Sequence, residues 1–176
     1  SDISPGEMKL DAGQMGVEEK YILSRLQHTI QKVSSLYEAY RIDEIPSLVE
    51  GMFLDLSRPY VQLVREKSSS GEQAEKAIVA AALYYALFEC LKLLAPLAPM
   101  IAEKIYLNLK ERFRLKEESI HFFDWPKTID EFKDAKLEKD IGLVQGVIQA
   151  VLAGREKLQM GVRWPLQEVI LVSKDA

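Results

Sequence analysis

The sequence predicts an all-α protein, mainly an antiparallel bundle of about five helices with a short C-terminal strand. Apolar residues recur at intervals of three and four along most of the 176 residues, which is the spacing of one helix face. The connections between these periodic segments are mostly short, and short connections make consecutive helices antiparallel neighbours. One stretch near the C-terminus alternates β-branched residues as a strand does.

The first two helices are predicted in the N-terminal part of the chain. The first spans Val17–Tyr40, and its apolar stripe consists of Ile22, Leu26, Ile30, Val33, Tyr37 and Tyr40. Asp43 is a suitable cap for the second helix, and Pro46 is tolerated in its first turn. The second helix runs to about Lys67 and ends at SSSG, interpreted as a flexible turn. Pro59 lies in its middle and is expected to kink it.

The third helix begins at Glu72 and contains the run AIVAAALYYALFECLKLLAPLAP. Because this run is apolar on nearly all sides, the helix is expected to be central and buried. Pro96 and Pro99 end it, and Pro99 can also open the fourth helix. The apolar face of the fourth helix consists of Ile101, Ile105, Leu109 and Phe113.

An irregular, aromatic-rich connection leads to a fifth helix, predicted at about Lys136–Gln159 and closed by Gly161. Its inward residues are expected to be Leu137, Ile141, Val144, Ile148, Val151 and Leu158. A strand is predicted at Glu168–Val172, and a strand without a partner is not stable. The predicted organisation is therefore a flexible lead-in at 1–16, a helical bundle at 17–160, and a junction at 161–176 that starts a following region.

Composition and charge limit the function classes. The chain is 48% apolar and 28% charged, as is usual for a soluble globular protein. Its net charge of −4 and pI near 5.4 argue against a dedicated nucleic-acid binder, so any contact with RNA must come from local patches. The sequence has no run of about 18 uncharged apolar residues, so we expect no membrane-spanning segment and no membrane partner. The single cysteine, Cys90, is expected to be a buried thiol of a cytoplasmic protein.

No sequence motif predicts catalysis. The glycine-rich phosphate and dinucleotide loops, HExxH and GxSxG are all absent. One cysteine and two distant histidines, His28 and His121, do not predict a metal site. We therefore expect no catalytic residue, no metal and no cofactor in this chain. The first residues include no initiator methionine, which we interpret as a sign of a piece of a longer protein.

Five segments together carry a family resemblance. They are EEKYILSRLQHTI, FLDLSRPYVQLVREK, LYYALFECLKLLAPLAPMIAEKIYLNL, ESIHFFDWP and LEKDIGLVQGVIQAVLAGREKLQMGVRWPLQEVIL. In their order and separation, they resemble the anticodon-binding region of isoleucyl-tRNA synthetases, class I enzymes. The DLSRxY pattern resembles the isoleucine enzymes more than the valine ones, and RWPL resembles their archaeal and eukaryotic branch. Where the family usually carries tryptophan, this sequence has Pro59.

The resemblance implies a helical bundle that grips the anticodon arm of tRNA(Ile). It would position the tRNA for aminoacylation by a catalytic domain that this chain lacks, since motifs similar to HIGH and KMSKS are absent. The implied partners are tRNA(Ile) and the catalytic and editing domains of the same polypeptide. ATP and Mg²⁺ would belong to the full-length ligase, not to this segment.

The residues that the resemblance selects for contact with RNA are basic, with one aromatic. They are Arg58, Arg65, Lys67, Arg155, Lys157, Arg163 and Trp164. The alternative for Arg58 is a surface ion pair with Asp55, three residues earlier. For Arg155 and Lys157, the alternative is interaction with the dipole at the end of the fifth helix. Trp125 is expected to pack against the bundle instead of stacking on a base.

Two other functions remain open at this point. The chain could be the corresponding domain of a valyl or another related class I synthetase. It could also be a helical protein-interaction module without an RNA function, which the acidic pI favours.

Overall fold

The computed structural model describes residue 10, residues 13–170 and residue 172. The helices are α1 (Val17–Glu38), α2 (Ile45–Asp55), a π-helical turn (Leu56–Tyr60), α3 (Val61–Leu63), α4 (Arg65–Ser70), α5 (Gln73–Leu94), α6 (Pro99–Phe113) and α7 (Ala135–Lys157). The predicted all-α class is confirmed. The predicted C-terminal strand is wrong for the described residues, because residues 168–170 and 172 form no strand. Leu171 lies outside the described residues. No other described segment is a strand with which this one could pair.

The described residues fall into two compact units that divide between Asp134 and Ala135. The first unit contains α1 to α6, and the second contains α7 and the turn after it. The predicted boundaries after residues 16 and 160 stay predictions.

The main core of the first unit lies between α1, α2 and α5. The predicted stripe of α1 is buried from Ile22 to Val33. Tyr40, predicted to continue that stripe, is instead 87% exposed. The reason is that α1 ends at Glu38 and Tyr40 adopts a left-handed φ of 57°, which turns the chain away from the helix.

A second apolar cluster joins α5 to α6. Ala102 and Tyr106 are its buried residues from α6, and Ile105 and Leu109 of the predicted face pack half-buried against it. Ile101, also predicted to face inward, is instead 60% exposed. The hydroxyl of Tyr106 donates to the carbonyl of Glu117 at 2.7 Å. This bond and the edge-on contact with Phe123 select the side of α6 that faces inward.

The connection between α6 and α7 lies along α1. Trp125 Nε1 donates to Ser34 Oγ at 2.9 Å, and the Ile129 N–H donates to Gln27 Oε1 at 2.7 Å. The ring of Trp125 also meets that of Tyr37 edge-on, with centroids 5.3 Å apart. The predicted packing role of Trp125 is therefore confirmed.

One described helix, α5, is long and apolar enough to span a membrane by length and composition alone. The central helix of a protein core passes the same test, and Ala82, Ala86 and Cys90 of α5 are fully buried in the main core. At the start of α5, the Glu72 side chain accepts from the backbone N–H of Glu75, and the Glu75 side chain accepts from the backbone N–H of Glu72. This capping box explains why the helix begins there.

Candidate nucleic-acid interface

The predicted kink at Pro59 takes the form of a π-helical turn, Leu56–Tyr60, between α2 and α3. A proline inside an α-helix collides with the carbonyl four residues earlier. A π turn contains one extra residue, which moves that carbonyl out of the way of the ring. The helical path therefore continues past Pro59, and a second interruption follows at Val64, which has φ −91° and ψ 5°.

The extra residue changes which side chains face the core. Met52, Leu56, Tyr60 and Val64, spaced by four, are all buried. In an ordinary helix each residue turns about 100°, so side chains four residues apart differ in direction by about 40°. The wider π turn reduces this difference, so these four side chains point to the same side. Leu63, the residue before Val64, is consequently 41% exposed.

Past this point, the three serines of SSSG belong to α4. Their hydroxyl groups donate to carbonyls three and four residues earlier, including Ser69 to Arg65 at 2.9 Å and Ser70 to Glu66 at 3.0 Å. Serine can satisfy helix carbonyls in this way. The predicted flexible turn is therefore wrong, and the helix that carries Arg65 extends to Ser70.

Arg58 and Arg65 both face solvent. The predicted alternative for Arg58, an ion pair with Asp55, is wrong. Asp55 Oδ2 instead accepts from Nε and Nη2 of Arg25, on α1, at 3.0 and 2.9 Å. Neither Arg58 nor Arg65 has an ion-pair partner among the described residues. Their charges are therefore accessible to an external anion.

Lys67 is in a different situation. Its Nζ lies 2.5 Å from Oε2 of Glu18 and 3.4 Å from Oε2 of Glu19, both at the start of α1. Burial alone would lower the pKa of Lys67, but its bond to Glu18 and the charge of Glu19 raise that pKa above its ordinary value. Lys67 thus clamps α4 to α1. A phosphate would have to displace carboxylates to reach it, and its contact with RNA stays a prediction.

The clamp borders a buried polar pair that sequence reasoning missed. Glu19 is 1% exposed and Tyr60 is fully buried, and Glu19 Oε1 and the Tyr60 hydroxyl have no hydrogen-bond partner among the described residues. Burial raises the pKa of Tyr60, and the charges of Glu19 and Glu18 raise it further. One sequence signal could have revealed the burial of Glu19. Glu19 lies four residues before Leu23, and residues four apart lie on the same face of a helix, here the apolar face of α1.

In the second unit, α7 ends at Lys157 and a β-turn follows. Gln159 takes a left-handed φ of 52°, and the N–H of Trp164 donates to the carbonyl of Gly161 at 3.1 Å. Arg155 holds this turn, because its Nη2 donates to the carbonyls of Gly161 at 2.8 Å, Val162 at 3.1 Å, and Trp164.

The remaining predicted residues of this unit are exposed. Trp164 is 68% exposed, and Lys157 and Arg163 face solvent without an ion-pair partner among the described residues. No residue of α7 is buried, and its predicted inward residues Val144 and Ile148 are 54% and 50% exposed. The described residues of its unit form no second helix that could cover them.

The described residues contain no group of three or more histidine, cysteine or acidic side chains that could hold a metal ion. Of the cations predicted to contact RNA, the accessible ones are Arg58 and Arg65 in the first unit, and Lys157 and Arg163, next to Trp164 in the sequence, in the second. Exposed cations and an exposed aromatic ring are groups that bind a nucleic-acid backbone and unpaired bases.

Comparison with known proteins identifies a family. Residues 19–170 match the family described as the anticodon-binding domain of tRNA ligase. Similar curated proteins include the isoleucine–tRNA ligases of Natronomonas pharaonis, 33% identical over 99% of this chain, and Methanopyrus kandleri, 36% identical over 90%. That of Pyrococcus horikoshii is 32% identical over 99%. The chain spans 16%, 15% and 16% of these relatives, respectively.

Proposed function

The chain belongs to the family of anticodon-binding domains of tRNA ligases, and we propose that it binds the anticodon arm of tRNA(Ile). The observation that carries the proposal is the pair of exposed arginines, Arg58 and Arg65, without intramolecular ion pairs among the described residues. An arginine that is free of carboxylates presents a full charge and a planar set of donors to a phosphate.

The spacing of this pair also suits a nucleic-acid backbone. Seven residues of straight helix span about 10 Å, a distance that allows contacts with two different phosphates. The interruptions at the π turn and at Val64 lie between or beside the two arginines. They place Arg58 and Arg65 on different helical segments, as contact with a curved backbone requires.

The role of the domain is positional. It holds the anticodon arm so that the acceptor end reaches a catalytic domain elsewhere in the same polypeptide, in a cytoplasmic ligase that uses ATP and Mg²⁺. The chain by itself performs no isoleucine activation, and we expect no isoleucine-dependent exchange between ATP and pyrophosphate. The matched relatives named isoleucine–tRNA ligase favour tRNA(Ile) over a valine tRNA or a protein partner.

The test measures binding of tRNA(Ile) and of a non-cognate tRNA across a salt series. Each lost phosphate contact lowers the slope of log affinity against log salt by about 0.7 to 0.9, so Arg58→Ala/Arg65→Ala should lower it by about 1.5. The charge-matched control is Lys104→Ala/Arg112→Ala, which removes two exposed cations from α6. An unchanged slope in a normally folded Arg58→Ala/Arg65→Ala variant would refute the role of these arginines. Equal affinity for both tRNAs would refute specificity for isoleucine.

A further inference from the structure

We infer that the turn Gly161–Trp164 is a binding site for one unpaired nucleotide, in which Trp164 stacks on the base and Arg163 and Lys157 meet phosphates. In this site Arg155 is a positioning residue and does not touch RNA. The inference rests on the proposed function, since it assigns part of the anticodon arm to a particular surface of the chain.

The hydrogen bonds of Arg155 commit it to the turn. Three carbonyls of the turn accept from its Nη2, and its Nε is buried without a hydrogen-bond partner among the described residues. A guanidinium whose Nη2 donates to three carbonyls, and whose Nε is buried, has fewer N–H groups left for a bidentate contact with a phosphate. Its role is instead to fix the turn against the end of α7.

The fixed turn presents Trp164 in a defined position. A Cβ added to Gly161 would lie 3.5 Å from Cδ1 and 3.7 Å from Nε1 of Trp164, so the edge of the indole lies on the side-chain side of Gly161. Pro165 also restricts the backbone of Trp164. Because 68% of Trp164 is nevertheless exposed, a large aromatic ring beside the turn faces solvent, as a stacking platform for a base requires.

The charges around the turn complement a polyanion. Between Gly154 and Leu166 the sequence has three cations, Arg155, Lys157 and Arg163, and one anion, Glu156, in a chain whose net charge is −4. A base can stack on Trp164 only when it is not already stacked inside a duplex. The favoured ligand is therefore an unpaired nucleotide, such as those in the loop of an anticodon arm.

The experiment uses the whole chain with Trp125→Phe, which leaves Trp164 as the single tryptophan, since the chain has two. The probe is a synthetic RNA stem-loop with the sequence of the tRNA(Ile) anticodon arm, and the control RNA is the same strand closed into a full duplex. We expect the stem-loop to quench Trp164 fluorescence and the duplex not to do so. Trp164→Ala should lower stem-loop affinity at least about fivefold, as expected for one lost stacking contact.

Arg155→Lys separates positioning from contact, because lysine keeps the charge but lacks the planar fork of donors. We expect lower fluorescence anisotropy of Trp164 in the free variant and an affinity reduced as much as in Trp164→Ala. The matched control, Lys139→Ala, removes an exposed lysine elsewhere on α7 and should bind like the parent. Circular dichroism and thermal unfolding establish that each variant is folded.

Each remaining outcome overturns a defined statement. Absence of quenching, or full affinity in Trp164→Ala, overturns the nucleotide site. Full affinity and unchanged anisotropy in Arg155→Lys overturn the positioning role. If stem-loop binding is lost in Arg58→Ala/Arg65→Ala but intact in Trp164→Ala, the proposed function stands and this inference fails. If neither the wild-type chain nor any variant binds the stem-loop or tRNA(Ile), even at low salt, the proposed function itself fails.

Discussion

Replacing Lys67 by methionine should destabilise the first unit by removing the clamp between α4 and α1. Lys67 Nζ lies 2.5 Å from Glu18 and 3.4 Å from Glu19, and the Glu19 side chain is only 1% exposed. The variant would leave the buried carboxylate of Glu19 without its only ion-pair partner among the described residues. The Oε1 atom of Glu19 already lacks a hydrogen bond there, so no second donor compensates.

The magnitude follows from burial. Removing one partner of a fully buried ion pair costs about 3 to 5 kcal/mol. The side chains of Lys67 and Glu18 are 28% and 26% exposed, so water reduces that cost. We therefore expect Lys67→Met to lower the free energy of unfolding by about 2 kcal/mol, between the values for buried and surface pairs.

The assay is urea unfolding at pH 7, followed by far-ultraviolet circular dichroism, with the m value compared between variants. Lys67→Met/Glu19→Leu should recover most of the loss, because replacing both partners by apolar groups removes the buried charge. Lys104→Met, at an exposed lysine of α6, is the control and should change stability by less than about 0.5 kcal/mol. A loss below that value in Lys67→Met, or no recovery in the double variant, would refute the clamp.

The clamp also predicts a pH dependence of defined sign. Burial alone would raise the pKa of Glu18, but the bond from Lys67 lowers it below 4.5 in the folded protein. A lowered folded-state pKa stabilises the protein above pH 4.5, and this contribution disappears as the pH falls through the folded-state value. Stability measured below pH 5 should therefore fall less steeply in Lys67→Met than in the wild type. Equal pH profiles would contradict the coupling.

Three further variants test other features of the fold. Arg114→Gly should stabilise the protein by about 1 kcal/mol in urea unfolding, because Arg114 has a left-handed φ of 53° at the end of α6 and glycine adopts that conformation without a steric penalty. Arg112→Gly, inside the last turn of α6, is the matched control and should destabilise by a similar amount. Burial raises the pKa of Glu89 above its ordinary value despite its bond to Lys92, so the contribution of Glu89 to stability falls as the pH rises from 4 to 7. The Tm of Glu89→Gln relative to the wild type should therefore be higher at pH 7 than at pH 4, and a difference that does not change with pH would contradict this. Pro59→Trp should raise the free energy of unfolding by far less than the roughly 3 kcal/mol that proline costs in a straight helix, because the π turn already accommodates the proline ring. A gain of the full amount in urea unfolding would mean that the π turn does not relieve the clash.

The sequence by itself determined the helices, their order and most of the main core. In α1, Ile22, Leu26 and Ile30 are buried as their spacing predicts, because a regular helix converts spacing directly into facing direction. The order of the quoted segments also led to the family that the comparison shows. The resemblance selected Arg58, Arg65 and Trp164, and the structure exposes all three.

Only the tertiary structure decided how those groups are held. Periodicity cannot detect the extra residue of a π turn, so it could not distinguish Val64, which is buried, from Leu63, which is 41% exposed. Spacing along one helix paired Asp55 with Arg58, but the packing of α1 against α2 brings Arg25, thirty residues away, to that carboxylate instead. Lys67 and Arg155 look like any other surface cations in the sequence. Their hydrogen bonds form with groups that come near only when the chain folds, so the division between clamping residues and residues open to RNA is a property of the folded chain.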